Sequence, residues 1–279
     1  MKSKYKLIFT RILLFLIMAA LMTFVLFPLI WVLSTALKSK TEVFASPPYI
    51  IPHSVTFDNF LSIWKDRNFG AYFVNSMIVA AVTTVLCLVI ANLAAFGFSR
   101  YRMKHANKLI MFILVSQMVP SVLFVMPYFV MMSRAGLVDS KIALIIAHTS
   151  FSLPFCTWML RGYYDSIPFS IDEAGRLDGC SRLSVLTKIV FPLSIPGNIA
   201  TLIFSFMQSW NEYLFSMSLT TTDRMYTIPV GIAMFMGEYQ TEWNELMAAS
   251  LAASIPVIIV YLIADKYLIG GLTAGAIRQ

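Results

Sequence analysis

The sequence predicts an all-α membrane protein with six transmembrane helices, and three observations support this fold class. Of its 279 residues, 58% are hydrophobic and 13% are charged, whereas a soluble domain carries about 25% charged residues. Six apolar runs approach or exceed the length of about 20 residues that a helix needs to cross a hydrocarbon core. The Lys and Arg residues fall mainly in the segments between those runs, which is typical of membrane proteins.

The predicted spans follow the apolar runs in chain order. They cover roughly residues 12–36, 73–98, 109–132, 143–160, 198–219 and 246–268. The first run is longer than the apolar core of a signal peptide and no Ala-x-Ala site follows it, so we expect an uncleaved span. The segment between the first two runs contains three prolines and is expected to be irregular. Prolines inside the runs predict kinks, and they are Pro28, Pro120, Pro127, Pro154 and Pro256.

The basic residues set the predicted orientation. With the N-terminus inside, fourteen of the 21 Lys and Arg residues lie in the inner segments and seven in the outer segments. The positive-inside rule therefore places both termini in the cytosol. The formal net charge of +7 is scattered over short loops, so we interpret it as loop charge and not as a surface that binds nucleic acid.

The sequence lacks the motifs of common catalytic and nucleotide sites. It contains no G-x-x-x-x-G-K-[ST], no H-E-x-x-H and no G-x-S-x-G. The three cysteines, Cys87, Cys156 and Cys180, have no metal-site spacing. We therefore expect no enzymatic activity, no metal and no cofactor bound by this chain. His148 lies within the fourth run, and we interpret it as a histidine hydrogen-bonded between helices, with a proton relay as the alternative.

Residues 166–192 are the longest densely polar stretch between two apolar runs. Pro168 predicts an extended entry, and Ser170 with Glu173 predicts a capping box at the start of a short helix. Gly179 is predicted to end that helix in a left-handed conformation. A second short helix is predicted between a capping serine and a proline stop, Ser181 and Pro192.

This stretch resembles the EAA loop of ABC-importer permeases, which reads E-A-A-x3-G-x9-I-x-L-P. The matching residues are Glu173, Ala174, Gly175, Gly179, Ile189, Phe191 and Pro192. Gly175 replaces the second Ala and Phe191 replaces Leu; since a glycine inside a helix costs about 0.5–1 kcal/mol, we expect the helix to be fully ordered only against a partner. In that family the loop is a coupling helix seated in a groove of the ATPase subunit. The resemblance thus implies these ATPase-coupling residues: Ser170, Glu173, Ala174, Gly175, Leu177, Asp178 and Gly179.

The resemblance covers nearly the whole chain. The chain is similar to the carbohydrate-uptake branch of the family, whose members include MalG-type permeases. The further matching segments are 75–76, 210–214, 227–231 and 271–276. It implies uptake of a carbohydrate, an oligosaccharide in particular, through a bacterial or archaeal cell membrane. The implied partners are a MalF-type second permease, two ATPase subunits that bind ATP and Mg, and an extracellular solute-binding protein.

The resemblance also implies a division of the chain. An N-terminal helix and outer loop at 1–69 precede a five-helix permease core like that of MetI and MalG at 70–269, which includes the coupling loop 161–194. A cytosolic tail at 270–279 follows, in which Thr273, Ala274 and Gly275 are expected to reach between the two ATPase subunits.

The fifth run carries the most polar side chains. Gln208, Asn211 and Glu212 have the i, i+3, i+4 spacing that places them on one helix face. Such a face either lines a water-filled path or forms hydrogen bonds between helices, and the sequence leaves both open. In MalG-type relatives the sugar pocket belongs mainly to the partner permease, so the resemblance places no substrate pocket on this chain.

Two other functions compete with this interpretation. An ion-coupled secondary transporter would need several buried acids or paired discontinuous helices, for which Glu212 and His148 are thin support. An intramembrane enzyme would need a nucleophile, metal or paired-acid motif, which the sequence lacks.

Overall fold

The computed structural model describes residues 2–101, 103–237 and 241–276, with side chains described between residues 7 and 265. Within these ranges the chain is helical and forms no strand, apart from one isolated antiparallel bridge between Met236 and Thr241. In chain order the helices are α1 (Lys2–Ala36), α2 (Lys40–Val43), α3 (Asp58–Asp66), α4 (Phe69–Arg100), α5 (Ala106–Ser116), α6 (Val122–Arg134), α7 (Lys141–Asp165), α8 (Phe169–Leu177), α9 (Arg182–Val185), α10 (Phe191–Leu193), α11 (Ile195–Trp210), α12 (Leu214–Leu219), α13 (Ile228–Ala233) and α14 (Trp243–Ala276).

Four of these helices, α1, α4, α7 and α14, are long and apolar enough to cross a membrane. They cover the first, second, fourth and sixth predicted spans. A π-helical turn at Leu186–Val190 joins α9 to α10, and this helical segment meets α11 at an angle of 84°. The described part of the chain therefore holds four spans by length and composition, or five if this bent pair is one span.

The third and fifth predicted spans were wrong in their extent. The third is two short helices, because α5 ends at Ser116 and α6 begins at Val122. Pro120 lies in the break, where it lacks the N–H that a continuous helix would use and disfavours a helical conformation of the residue before it. The fifth ends at Trp210, well before residue 219.

One compact unit comprises residues 68–231 and 254–279. In it α4 packs against α7 and α11, and α11 packs against α7. Small side chains at the centre of this packing, including Cys87, Ala91 and Cys156, are fully buried and allow the helix backbones to approach closely. Both cysteines thus behave as small apolar core residues.

A turn between α6 and α7 is fixed to the segment after α12 by Asp139. Its carboxylate accepts hydrogen bonds from the backbone N–H groups of Thr221 and Thr222 at 2.8 and 3.0 Å. Desolvation raises the pKa of Asp139, but the bonds from Thr222 and Thr221 together outweigh it and hold the pKa below its usual value. The charged form is therefore the one that the turn stabilises.

The other unit comprises residues 1–67 and 232–253. The side chains of α1 are exposed from Leu7 to Ile30, which suits a helix that faces lipid. The expectation of an irregular segment after α1 was wrong, because it contains α2 and the nine-residue α3. Asn59 on α3 donates to the carbonyls of Ala36 and Lys38 at 2.8 Å each, so buried backbone groups at the end of α1 find a side-chain partner.

Candidate functional site

The start of α8 differs from the predicted capping box. The helix begins at Phe169 with Pro168 in the N-cap position, and no side chain caps it. Proline suits a helix entry because its fixed φ is compatible with the first turn and it has no N–H to leave unsatisfied. Ser170 therefore lies inside the helix rather than at its cap, and Glu173 is exposed and free to contact another molecule.

The end of α8 confirms the predicted role of Gly179. This glycine has φ of +88°, the N–H of Cys180 donates to the Gly175 carbonyl at 2.9 Å, and the N–H of Gly179 donates to the Arg176 carbonyl at 3.1 Å. These two bonds form a Schellman motif, which requires a left-handed residue where the glycine lies. Ser181 caps α9 as predicted, since its hydroxyl accepts from the Ser184 N–H at 3.2 Å.

The proline stop was also close to the observed helix end. The helical segment that begins at α9 continues through the π-helical turn and ends with α10 at Leu193, one residue after Pro192. This segment turns sharply into α11 at Ser194.

One face of α8 packs on the chain and the other is open. Gly175 is buried, and a Cβ there would collide with the δ-methyl group of Ile189. Gly175, which replaces the second Ala of the E-A-A pattern, thus lies where α8 closely approaches the following helical segment. On the opposite side Ala174 is exposed and Leu177 is 89% exposed. The side of α8 that faces away from the chain is therefore small and apolar at these two positions.

A buried ion pair joins α8 to the end of α4. Arg100 Nε lies 2.7 Å from Asp172 Oδ2, and the two side chains are only 7% and 6% exposed. Arg100 also donates from Nη2 to the Ile167 carbonyl at 3.1 Å, just before α8 begins. The sequence does not predict this pair, because no local spacing connects Arg100 to Asp172 and an arginine at the end of a span is interpreted as loop charge.

The polar residues of the fifth run meet His148 on α7. Its Nδ1 lies 2.7 Å from Ser209 Oγ and its Nε2 lies 3.0 Å from Glu212 Oε2. Glu212 also accepts from the backbone N–H groups of Phe215 and Ser216 at 2.7 and 2.9 Å. The histidine is therefore hydrogen-bonded between helices as interpreted, and Glu212 holds the start of α12 in place.

The predicted common face of Gln208, Asn211 and Glu212 is interrupted because α11 ends at Trp210. Gln208 and Glu212 line one cavity of about 320 Å³, together with His148 and with Gln117 from the break between α5 and α6. Asn211 is the C-cap residue of α11 and donates its side-chain N–H to the Met207 carbonyl at 2.9 Å.

The tail residues are described in their backbone alone. Thr273, Ala274 and Gly275 lie in the last turns of α14, and the final residues 277–279 lie outside the described residues. Among the described side chains, no three His, Cys, Asp or Glu groups are placed to hold a metal ion.

Comparison with known proteins identifies the family. Residues 87–272 match the family model described as binding-protein-dependent transport system inner membrane component. The chain belongs to this permease family. The family match includes α7, α8 and α11, so the ion pair and the cavity lie in or beside the segment that its members share.

Individual relatives of this permease are similar over most of its length. It is 34% identical over 253 residues to the sulfoquinovosyl glycerol transport system permease protein SmoH of Agrobacterium fabrum, covering 91% of this chain and 89% of that one. It is 35% identical over 256 residues to the trehalose/maltose transport system permease protein MalG of Thermococcus litoralis, covering 91% of each.

A solved structure supports the permease fold. A crystal structure of a bacterial ABC transporter involved in the import of the acidic polysaccharide alginate contains a chain that aligns with a TM-score of 0.79 at 22% identity. The alignment covers 92% of this chain and 95% of that chain. The ABC-importer permease fold is therefore shared across nearly the whole length.

Proposed function

We propose that this permease is the MalG-type membrane subunit of an ABC importer that takes up a carbohydrate, and an oligosaccharide in particular. The observation that carries the proposal is α8, a short helix with Ala174 and Leu177 exposed, within the stretch that resembles the coupling loop of ABC-importer permeases. Sugar transport in the names of relatives that are 34% and 35% identical over nine-tenths of the chain supports the substrate class. ATP and Mg are bound by the partner ATPase subunits, not by this chain.

The assembly that we propose contains a MalF-type second permease, two ATPase subunits and an extracellular solute-binding protein. In it this chain crosses the membrane six times, with α5 and α6 together forming the third crossing, and both termini lie in the cytosol. The permease core is 70–269, its coupling loop is 161–194, and the tail at 270–279 contacts the ATPase subunits through Thr273, Ala274 and Gly275. The 14 basic residues that this orientation places inside, of 21 in total, support it.

ATP dependence is the test that separates this function from ion-coupled transport. Cells that contain the complete importer should accumulate labelled di- and oligosaccharides when a protonophore has collapsed the proton gradient but ATP is maintained. Accumulation should stop when ATP is depleted and the gradient is intact. The reverse pattern would support the secondary transporter, because such a transporter takes its free energy from the ion gradient.

We further propose that the polar cavity forms part of the transport path. Gln208 is exposed at its edge, whereas the Glu212 side chain is 19% exposed and forms part of its wall. Asn211, which is exposed at the end of α11, remains a candidate for lining the path. Polar groups between transmembrane helices either pair with one another or face a water-filled cavity, and the exposure of Gln208 supports the second arrangement at this edge.

The two cavity residues should respond differently to substitution. Glu212→Gln places an amide NH₂ against the backbone N–H groups that now donate hydrogen bonds to the carboxylate. We therefore expect a loss of about 1–3 kcal/mol of stability and a lower yield of assembled importer. Gln208→Ala removes no described partner, so we expect normal yield and a changed transport rate per complex. Normal yield for Glu212→Gln, with unchanged transport for Gln208→Ala, would contradict both assignments.

A further inference from the structure

A cleft of about 280 Å³ lies beside α8, and three of the residues that line it are arginines. We call it the basic cleft and define it by Arg100, Arg176, Arg182, Asp172, Tyr101 and Phe169. It lies between the end of α4, the first turn of α9 and the side of α8 that carries Phe169, Asp172 and Arg176. Its three arginines face a single aspartate.

The charges of the basic cleft are not balanced within the chain. Arg100 is paired with Asp172 at 2.7 Å. No described carboxylate lies within ion-pair distance of Arg176 or Arg182, and both side chains are exposed. The Arg182 guanidinium lies 4.6 Å from the ring centroid of Tyr101, which restricts its position beside the cleft. Two exposed cations, one of them held against Tyr101, are thus left for another molecule.

We propose that the basic cleft receives an acidic side chain of the ATPase subunit, which would place an ionic contact beside the apolar contact of α8. The proposal rests on the proposed function, in which α8 is the ATPase docking helix. Arg176 is exposed and lies about 100° around α8 from Leu177, which is 89% exposed, so a groove that encloses α8 from its Leu177 side would meet Arg176 at its edge. Guanidinium groups bind carboxylates through paired, charge-assisted hydrogen bonds, which gives the contact geometric as well as electrostatic selectivity.

An anionic lipid headgroup is the competing occupant. The observations favour the ATPase because Arg176 lies on α8 itself, in the densely polar stretch between two spans. A helix that lies on lipid would carry a broad apolar face, whereas the outward side of α8 combines Leu177 with Glu173 and Asp178.

Affinity measurements on the assembled permease pair test the proposal. The pair is placed in nanodiscs of neutral phosphatidylcholine, and the ATPase subunit is titrated onto it at about 50 mM and about 500 mM NaCl, conditions that differ strongly in screening. The variant Arg176→Gln/Arg182→Gln should bind about three- to tenfold more weakly at low salt, since partly exposed charge pairs are modest in strength. At high salt the two affinities should converge.

The variant Lys104→Gln/Lys108→Gln is the matched control. It removes two exposed cations from the segment around the start of α5, outside the cleft, and should bind as the parent does. If the arginine variant also binds as the parent does at low salt, the proposal is wrong. If its loss appears only in discs that contain phosphatidylglycerol, a lipid headgroup is the occupant and the proposal is equally wrong.

The variant Leu177→Asp separates this proposal from the function on which it rests. Leu177→Asp should weaken ATPase binding at both salt concentrations, because it places a charge in an apolar contact. If Leu177→Asp has no effect on binding, α8 is not the helix on which the ATPase docks. If Leu177→Asp weakens binding but the arginine variant does not, α8 docks and the basic cleft alone has been misassigned.

Discussion

Arg100→Gln is expected to detach α8 from the end of α4 and to abolish ATP-driven sugar uptake. The substitution leaves the Asp172 carboxylate buried without its countercharge, and removing one partner of a buried ion pair typically costs about 3–5 kcal/mol. It also removes the donor to the Ile167 carbonyl at the entrance to α8. Arg100 is the last residue of α4, so the apolar part of every span is unchanged and the chain should still insert in the membrane. Uptake and ATP hydrolysis by the assembled importer measure the effect.

A double substitution supplies the control for Arg100→Gln. In Arg100→Met/Asp172→Leu both charges are gone and apolar side chains fill the space, so we expect much of the lost stability to return. A double-mutant cycle with the single substitutions Arg100→Met and Asp172→Leu should then give a coupling free energy of about 0.5–3 kcal/mol between the two positions. If the effects of these two substitutions on stability simply add, the pair does not hold α8.

Ala174→Trp and Gly179→Val should each permit insertion but abolish uptake, for different reasons. Ala174 is exposed on α8, so a tryptophan there leaves the fold intact but blocks a groove that would receive this face. Gly179 has φ of +88°, and valine at this angle costs about 1–2 kcal/mol or more and misdirects α9. Ala174→Ser is the control for the first substitution, because it keeps a small side chain at the same exposed site. Parental uptake in both variants would contradict the coupling role.

Features set by local chemistry could be predicted from the sequence. The cap at Ser181 and the left-handed Gly179 depend on residues within one turn of each other, and both were confirmed. The four long spans followed from their apolar length, since hydrocarbon requires an unbroken helix of about 20 residues. The capping box at Ser170 failed because Pro168 occupies the N-cap position and the helix starts two residues earlier than a cap at Ser170 would allow.

Features that depend on distant residues could not be predicted. Arg100 and Asp172 carry no sequence signal for each other, because their pairing requires the end of α4 and the side of α8 to meet in space. Glu212 was placed on a helix face by its spacing, yet the helix ends before it and its carboxylate caps α12 instead. The polar cavity likewise depends on the break between α5 and α6, which an apolar run does not reveal.

Docking of the ATPase on the open face of α8 can be measured as the amount of ATPase subunit that stays bound to purified permease carrying Ala174→Trp. We expect Ala174→Trp to retain little ATPase while Ala174→Ser retains the parental amount, with equal membrane insertion for both. Equal retention of the ATPase by Ala174→Trp and the parent would contradict docking on this face.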